Sequence, residues 1–378
     1  MKVYFDGIIY SWQKTGGIVR YFNELMPRVA AADNTEAELV LREPHFNSYP
    51  KTAKLRARAV KHYPFVNGAV SLKYFRKILS PVNKYFMGRY FGGVRQGVFH
   101  STYYTTYKSL RVPQVLTVHD MIYEKLPAFF SDSASRRFVR NKKACIDAAD
   151  SIICISEATK KDLLSIYNIP GNKVSVVHLG LSKSFYMVGD EGLKRCFLKE
   201  KNINRPYLLF VGHRLTYKNF IFFINTYAKW KNRGDFLLVL AGGFPFSGSE
   251  SKLIHSLGLS GSVMRFERVS EEDLVLFYNC AQGFVFPSLY EGFGLPLVEA
   301  LACGVKVLAS DIPAFREIAG SLPVYFNPED EGSLLGGLDA MITIGSRQDA
   351  AIISDKVKAK YNWDNTAGQI LDVYRSLG

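Results

Sequence analysis

The sequence has few cysteines, and none of them lies near another along the chain. Five occur among 378 residues, at Cys145, Cys154, Cys196, Cys280 and Cys303. An odd number of scattered thiols without a Cys-x-x-Cys pair provides neither a disulfide framework nor a zinc knuckle. A reducing cytoplasm is therefore the expected compartment.

Long apolar runs and a leader segment are also missing. Nowhere do 18 apolar residues follow one another, so no membrane-spanning helix is expected. The chain begins as a predicted strand rather than as a charged segment followed by an apolar one, so no standard signal peptide is expected. Both absences predict a protein that is neither secreted by that route nor embedded in a bilayer.

Acidic residues are absent from one long stretch. Between Glu43 and Asp120 there are 13 Lys or Arg residues and no Asp or Glu, which accounts for nearly all of the net charge of +14. Aromatic residues alternate with these cations, a pattern suited to anionic lipid headgroups at roughly 1 kcal/mol per cation. We therefore expect residues 50–95 to meet an anionic membrane surface, with no nucleic-acid partner. Single-stranded nucleic acid and a merely solvated basic face remain the alternatives.

Short apolar segments alternate with amphipathic ones along the whole chain, as strands and crossover helices do in parallel α/β proteins. With 48% hydrophobic residues the chain is long enough for two cores. We predict two doubly wound domains, at residues 1–185 and 186–363, with a final helix at 364–378 that packs on either one. The predicted strands are residues 3–9, 38–41, 98–100, 114–119, 151–155, 174–178, 207–211, 236–241, 263–266, 283–286, 305–309 and 324–326.

Paired glycines follow the first predicted strand. Gly16 and Gly17 precede an amphipathic segment that begins at Ile18. Glycines before a helix let main-chain N–H groups approach a phosphate or hydroxyl, and the helix dipole favours negative charge there. The dinucleotide fingerprint is incomplete, because a third glycine and a ribose-binding acid are missing. The pair indicates an anion site or an ordinary strand-to-helix turn.

His119 and Asp120 end the predicted strand at 114–119. A histidine at that edge can hydrogen-bond a sugar hydroxyl or move a proton near neutral pH, with Asp120 orienting it. A purely structural histidine is the alternative.

Two cations follow the strand at 207–211. Arg214 and Lys218 lie four residues apart and can converge as a forked guanidinium and a point charge on a diphosphate. Two exposed cations at a helix start would instead oppose the helix dipole at a cost of a few tenths of a kcal/mol. The pair therefore favours an anion site.

Two glutamates with seven residues between them surround a glycine-rich turn. Glu291 lies in a loop at 287–294, whereas Glu299 is predicted in the first turn of a helix that contains Pro296 and ends before Gly304. Glu299 there could simply complement the helix dipole. Glu291 has no comparable structural use. Two carboxylates with main-chain N–H groups between them suit a ligand with many hydroxyls and one anionic group, such as a nucleotide sugar.

Together these motifs resemble those of the retaining glycosyltransferases of family 4, whose GT-B architecture has two Rossmann-like domains facing a cleft. The specific motif is the Glu-x7-Glu pair with Gly-Phe-Gly-Leu-Pro inside it. The resemblance implies that the acceptor binds residues 1–185, that the donor binds residues 186–363, and that the final helix returns to the first domain.

The resemblance also implies roles for individual residues. The basic pair holds the donor diphosphate, Glu291 contacts the donor sugar, Glu299 binds the ribose, and the histidine lies near the transferred sugar. The implied catalytic residues are His119, Arg214, Lys218 and Glu291. The implied donor-binding residues are Gly16, Gly17, Gly212, Arg214, Lys218, Glu291, Gly292, Phe293, Gly294, Leu295 and Glu299.

As a nucleoside diphosphate leaves the sugar, negative charge develops on it. A metal ion or fixed cations must stabilise that charge. No Asp-x-Asp metal signature occurs in the chain and the fixed cations are present, so no metal or other cofactor is expected. The resemblance implies a front-face route in which the acceptor attacks beside the leaving diphosphate. Glu291 is then a positioning group rather than a nucleophile.

The first 18 residues look like those of bacterial mannosyltransferases of surface-polysaccharide assembly. They indicate transfer from GDP-mannose to a lipid-linked saccharide at the inner face of the plasma membrane, in O-antigen or capsule synthesis. A UDP-hexose donor stays open, because no motif reads the base. An NAD-dependent oxidoreductase and a non-catalytic basic module are further alternatives, although the first lacks its fingerprint and the second leaves the two glutamates unexplained.

Overall fold

A computed structural model describes residues 1–42, 47–60, 85–343 and 349–378. These residues form two compact units, one made of residues 1–180 with 363–378 and the other of residues 181–362. Each unit is built around a parallel sheet, as the alternation of apolar and amphipathic segments predicts. The predicted division near residue 185 falls just inside the second unit.

Among the described residues the sheet of the first unit has seven strands, in the order β3-β2-β1-β4-β5-β6-β7. They are β1 Lys2–Phe5, β2 Glu36–Arg42, β3 Leu55–Val60, β4 Val98–Ser101, β5 Gln114–Val118, β6 Ser151–Cys154 and β7 Val174–Val176. The strand order reverses between β1 and β4, which pair in parallel. Ligands of open α/β sheets bind outside the carboxyl ends of strands at such a reversal.

The described sheet of the second unit has six strands, in the order β10-β9-β8-β11-β12-β13. They are β8 Tyr207–Val211, β9 Leu237–Ala241, β10 Val263–Phe266, β11 Gly283–Phe286, β12 Val307–Ser310 and β13 Val324–Phe326. Here the order reverses between β8 and β11, which again pair in parallel. The loops that leave these two strands therefore start at one edge of the sheet.

Helices connect the strands of both units. They are α1 Ile9–Trp12, α2 Gly17–Ala31, α3 at 85–92, α4 Ile122–Lys125, α5 Ser133–Ala148, α6 Glu157–Ile166, α7 Glu191–Glu200, α8 Phe220–Tyr227, α9 Gly248–Ser256, α10 Glu271–Cys280, α11 Leu295–Ala302, α12 Pro313–Ala319, α13 Glu331–Thr343, α14 Ala350–Lys360 and α15 Trp363–Arg375. Helix α2 shows why they form, because Val19, Phe22, Leu25, Met26 and Val29 recur at helical spacing and are all buried.

The final helix, α15, belongs to the first unit. The Tyr374 hydroxyl lies 2.5 Å from Nδ1 of the buried His100, and Thr366 donates to the carbonyl of His178. The Arg28 guanidinium donates to Asp364 at 2.7 Å. These contacts bind residues from both ends of the chain into one core.

The predicted strands differ most from the observed ones at β1 and β3. The first strand ends at Phe5 rather than at residue 9, because the Asp6 side chain accepts the N–H of Ile8 and the chain then turns into α1. Strand β3 is absent from the predicted strands. Leu55, Ala57 and Ala59 alternate with Arg56 and Arg58, which is the pattern of a half-buried strand, although only Leu55 is buried.

Candidate functional site

The strand reversal of the second unit brings two of the predicted motifs together. The loop after β8 begins at Gly212 and the loop after β11 begins at Pro287. A main-chain hydrogen bond from Leu289 N–H to Tyr217 C=O, 2.8 Å long, joins the two loops. The fold thus places residues that are some 70 positions apart in the sequence at one edge of one sheet.

Lys218 and Glu291 are in direct contact there. The Lys218 ammonium donates to Glu291 Oε1 at 2.5 Å, and the hydroxyl of the buried Ser288 donates to the same oxygen at 2.7 Å. The two side chains are 16% and 15% exposed, so solvent and ligands still reach the pair. Because an ammonium has three donors, Lys218 retains donors for an anionic ligand while it holds Glu291.

Arg214 does not offer the open fork that the sequence predicts. Its Nε donates to Glu250 at 2.7 Å, and one terminal nitrogen donates to the carbonyl oxygens of Phe244 and Pro245. The other terminal nitrogen, Nη1, is buried and has no hydrogen-bond partner in the part of the chain that the structure describes. The guanidinium therefore holds the loop after β9 and has one donor group left for an anion.

The local electrostatics show that both cations lie close to His213. Burial lowers the pKa of His213, and the charges of Lys218 and Arg214 lower it further. Burial also opposes ionisation of Glu250, but hydrogen bonds from Arg214 and Ser247 outweigh it and the pKa of this carboxyl is below its ordinary value. The charges of Lys218 and Arg214 therefore act on His213 although each cation is paired with a glutamate.

The sequence predicts Glu299 in the first turn of its helix, and this prediction is wrong. Glu299 is the fifth residue of α11, is 3% exposed, and accepts a hydrogen bond from the Tyr278 hydroxyl at 3.2 Å. The alternative in which Glu299 merely complements the helix dipole is therefore wrong, because that effect is confined to the first turn.

In the glycine-rich turn before α11, successive residues have different structural roles. Gly294 is the N-cap at φ +104°, and a Cβ there would lie 2.8 Å from Phe315. Only glycine adopts this conformation without strain. Phe293 is 2% exposed and packs edge-on against Tyr361, so it anchors the turn, while Leu295 begins the helix. The predicted segment 292–295 thus sits at a helix N-terminus, which favours anions.

In the first unit the paired glycines also sit at a helix start. Gly16 is the N-cap of α2 at φ +146°, and the helix begins at Gly17, one residue earlier than predicted. A Cβ on Gly16 would lie 2.7 Å from the Gln13 side chain. The N-cap supplies no side-chain hydrogen bond, so the first N–H groups of α2 are available to water or a ligand.

His119 follows β5 and is almost buried, at 9% exposure. Burial lowers its pKa to about 4, and the ring packs edge-on against Tyr21 at 5.1 Å. The ring is therefore neutral near pH 7, and the two expected roles, a hydrogen bond to a sugar hydroxyl or a proton transfer, stay predictions. The Asp120 carboxylate accepts the N–H of Ile122, and the expected orientation of His119 by Asp120 stays a prediction.

Sequence reasoning missed several residues that complete the site. The local sequence does indicate a structural role for Glu250, because Ser247 and Glu250 form a capping box at the start of α9. Ser288 and Tyr278 carry no local signal. Their roles depend on contacts with Glu291 and Glu299 that only the folded chain creates.

The described residues also bear on the expected metal and membrane partners. Among residues 1–42, 47–60, 85–343 and 349–378, no group of three or more His, Cys, Asp or Glu side chains is arranged to hold a metal ion. No helix in the same ranges combines the length and the apolar character that crossing a bilayer requires. Of the stretch predicted to meet a membrane, residues 61–84 lie outside the described residues.

Both halves of the chain match models of glycosyltransferase families. The profile of Glycosyltransferase Family 4 matches residues 15–185, and the profile of Glycosyl transferases group 1 matches residues 197–353. Together the two matches cover most of the sequence.

Individual proteins point the same way. The chain is 29% identical to an O-antigen chain mannosyltransferase of Salmonella typhimurium over 67% of its own length and 66% of that protein. It is 25% identical to O-antigen chain mannosyltransferase B of Escherichia coli over 70% of each. The solved structure of Alr3699/HepE from Anabaena in complex with UDP-glucose matches the whole of both chains with a TM-score of 0.75 at 15% identity. The chain has the GT-B fold and belongs to glycosyltransferase family 4.

Proposed function

We propose that this protein is a retaining mannosyltransferase that moves mannose from GDP-mannose to a lipid-linked saccharide during O-antigen or capsule assembly. The observation that carries the proposal is the contact of Lys218 with Glu291 at the strand reversal of the second unit. The choice of mannose is supported by the names of the two bacterial relatives, which are O-antigen chain mannosyltransferases.

The site residues divide the work of such a reaction. Lys218 and the unpartnered Nη1 of Arg214 stabilise the negative charge that develops on the leaving diphosphate. The N-terminus of α11 adds its dipole at the same edge. Glu291, held by Lys218 and Ser288, orients hydroxyls of the donor sugar, and Glu299 binds the ribose. The acceptor hydroxyl attacks beside the leaving diphosphate, which takes the proton, so the neutral His119 hydrogen-bonds the sugar rather than moving the proton.

A UDP-hexose donor is the second candidate. The structure of HepE in complex with UDP-glucose favours it, because that protein matches this chain along its whole length. Both candidates use the same diphosphate site and differ only in the base and the sugar.

A thermal-shift panel of GDP-mannose, UDP-glucose, UDP-galactose and dTDP-glucose separates the candidates. A ligand at 100 times its dissociation constant stabilises the fold by about 2.7 kcal/mol. We expect GDP-mannose to raise Tm in the wild type and to lose this effect in Lys218→Met. A shift with UDP-sugars alone would replace the mannose proposal with the UDP-hexose one, and no shift with any sugar would contradict both.

We further propose that the protein is peripheral on the inner face of the plasma membrane and meets it through residues 50–95. The described cations of that stretch include Lys54, Arg56, Arg58 and Arg89, which are exposed. Sedimentation with vesicles that contain phosphatidylglycerol tests this, with phosphatidylcholine vesicles as the control. Binding to anionic vesicles is expected to weaken as salt is raised, and equal binding to both kinds of vesicle would contradict the electrostatic basis.

A further inference from the structure

We propose that the first unit carries a saccharide subsite made of Asp120 and four aromatic rings, which we call the aromatic ladder: Tyr103, Tyr123, Phe130 and Phe138. The subsite rests on the proposed function, because its occupant would be a sugar ring of the acceptor. Of its residues, the sequence motifs include only Asp120, as the expected neighbour that orients His119.

The aromatic ladder lies beyond the carboxyl ends of β4 and β5. The ring of Tyr123 is 4.2 Å from that of Phe130 and 4.6 Å from that of Phe138, and Tyr103 lies 5.9 Å beyond Phe138. All four side chains are only half-buried. The rings therefore form a continuous apolar surface that solvent still reaches, at the edge of the sheet where ligands of such folds bind.

Asp120 adds a charged acceptor to this surface. Among the described residues its carboxylate accepts one hydrogen bond, from the N–H of Ile122, and forms no ion pair. The Asp120 charge acts on the ladder through Tyr103. Burial raises the pKa of Tyr103 most, Tyr123 and then Asp120 add to the effect, and the pKa rises to about 12. Burial and then Asp120 raise the pKa of Tyr123 as well. The hydrogen bond from Ile122, the residue before Tyr123, holds this anionic group with spare acceptor capacity near the Tyr123 end of the ladder.

A buried ion pair fixes the main chain of Asp120. Lys142 and Glu124 lie 3.1 Å apart, with side-chain exposures of 0% and 4%. The Lys142 ammonium donates to the carbonyl oxygen of Asp120 at 2.6 Å, and the Tyr167 hydroxyl donates to Glu124 at 2.9 Å. A buried pair is a costly way to gain stability, since apolar residues of similar size often serve as well. Its effect here is to hold Asp120 in place without neutralising the carboxylate.

This combination fits a pyranose ring. One face of a pyranose presents C–H groups that pack on an aromatic surface, and its hydroxyls donate hydrogen bonds to a carboxylate, the stronger kind because the acceptor is ionised. An alkylammonium ligand is the rival occupant, because aromatic rings next to an acid also bind such cations. The position beside His119, which the proposed function assigns to the transferred sugar, favours the saccharide.

The test uses the full chain, GDP-mannose as donor, and octyl glycosides of α-mannose, β-glucose and β-galactose as acceptor probes. Saturation-transfer NMR measures binding of each glycoside, and initial rates give separate KM values for donor and acceptor. The variants are Tyr123→Leu, which keeps apolar bulk without the flat ring, and Asp120→Asn, which keeps the shape without the charge. Tyr186→Leu is the matched control, because that ring is 49% exposed and lies outside both the ladder and residues 50–95.

We expect both variants to raise the acceptor KM at least about tenfold and to weaken the NMR signal, while the donor KM stays within twofold. The control should behave as the wild type. Failure of the wild type to bind any of the glycosides, or an unchanged acceptor KM in both variants, would overturn the subsite, and so would tetramethylammonium displacing the bound glycoside. Glycoside binding that depends on Tyr123 and Asp120 without any transfer would leave the subsite standing and contradict the proposed function instead.

Discussion

At the scale of single residues, the most informative contact is the one between Lys218 and Glu291. Each charge offsets the desolvation of the other, so the pair can stay partly buried without a ligand. The sequence predicted both residues from their spacing after strands and around glycines. It did not predict that Arg214 is bound to Glu250 and to two carbonyl oxygens, because those partners depend on how the loop after β9 folds back.

Replacing Lys218 tests the charge that the donor diphosphate requires. We expect Lys218→Met to lower kcat/KM about 100-fold or more, which is the usual loss when one fixed donor to developing negative charge is removed. Steady-state kinetics with the donor identified by the thermal-shift panel measure this. Lys229→Met is the matched control, because Lys229 pairs with Glu331 at the surface, and similar losses in both variants would contradict the assignment.

Asp6 gives a pH prediction at the same scale. It is fully buried after β1 and accepts hydrogen bonds from Thr102 and Ile8, and burial raises its pKa to about 6. The folded pKa of Asp6 lies above the ordinary value of 3.8, so the folded state binds a proton at this carboxyl more tightly than the unfolded state does. The stabilisation from this proton is present at low pH and is lost as the pH rises through 6.

Asp6→Asn removes the titrating group and keeps its size. We compare the free energy of unfolding of Asp6→Asn with that of the wild type. We expect this difference to shift in favour of the variant by roughly 1 to 2 kcal/mol from pH 5 to pH 7.5. Thermal unfolding at the two pH values measures the change. Asp33→Asn, at an exposed carboxylate, is the control, and a difference from the wild type that does not change with pH would contradict the prediction.

At the scale of elements, the junction between the loop after β11 and α11 positions the site. Local sequence predicts it well, because a glycine turn followed by Leu-Pro is a strong helix start. The contact that makes Gly294 irreplaceable comes from Phe315 in α12. Helix α11 was therefore predictable, whereas its fit against α12 was not.

Gly294→Ala tests this junction. The added Cβ meets Phe315, and the φ of +104° disfavours any side chain, so we expect a loss of about 1 to 3 kcal/mol in stability and weaker donor binding. Thermal unfolding and donor titration measure the two effects. Gly234→Ala is the control, since a Cβ there meets nothing within 4 Å, and equal behaviour of the two variants would refute the steric argument.

At the scale of the whole molecule, the chemistry is expected to proceed without a metal ion. The charge on the leaving diphosphate is assigned to Lys218, to Arg214 and to the N-terminus of α11, which are parts of the fold. The alternative of a non-catalytic basic module does not account for Lys218 and Glu291 meeting at the strand reversal.

Transfer measured in excess EDTA tests metal independence directly. We expect the rate to remain within twofold of the untreated enzyme. A rate that collapses in EDTA and returns on addition of Mn²⁺ or Mg²⁺ would show that a metal carries the charge instead.

The sequence by itself determined the fold class, the two parallel sheets and the loops that carry Lys218 and Glu291. These follow from hydrophobic periodicity and from glycine and proline turns, which are local properties of the chain. Only the tertiary structure decided that Arg214 is bound to Glu250, that Glu299 is buried against Tyr278, that His119 is neutral, and that Asp120 lies beside an aromatic ladder. The physical reason is that burial and hydrogen-bond partners set the charge and reach of a side chain, and most of those partners come from distant parts of the sequence.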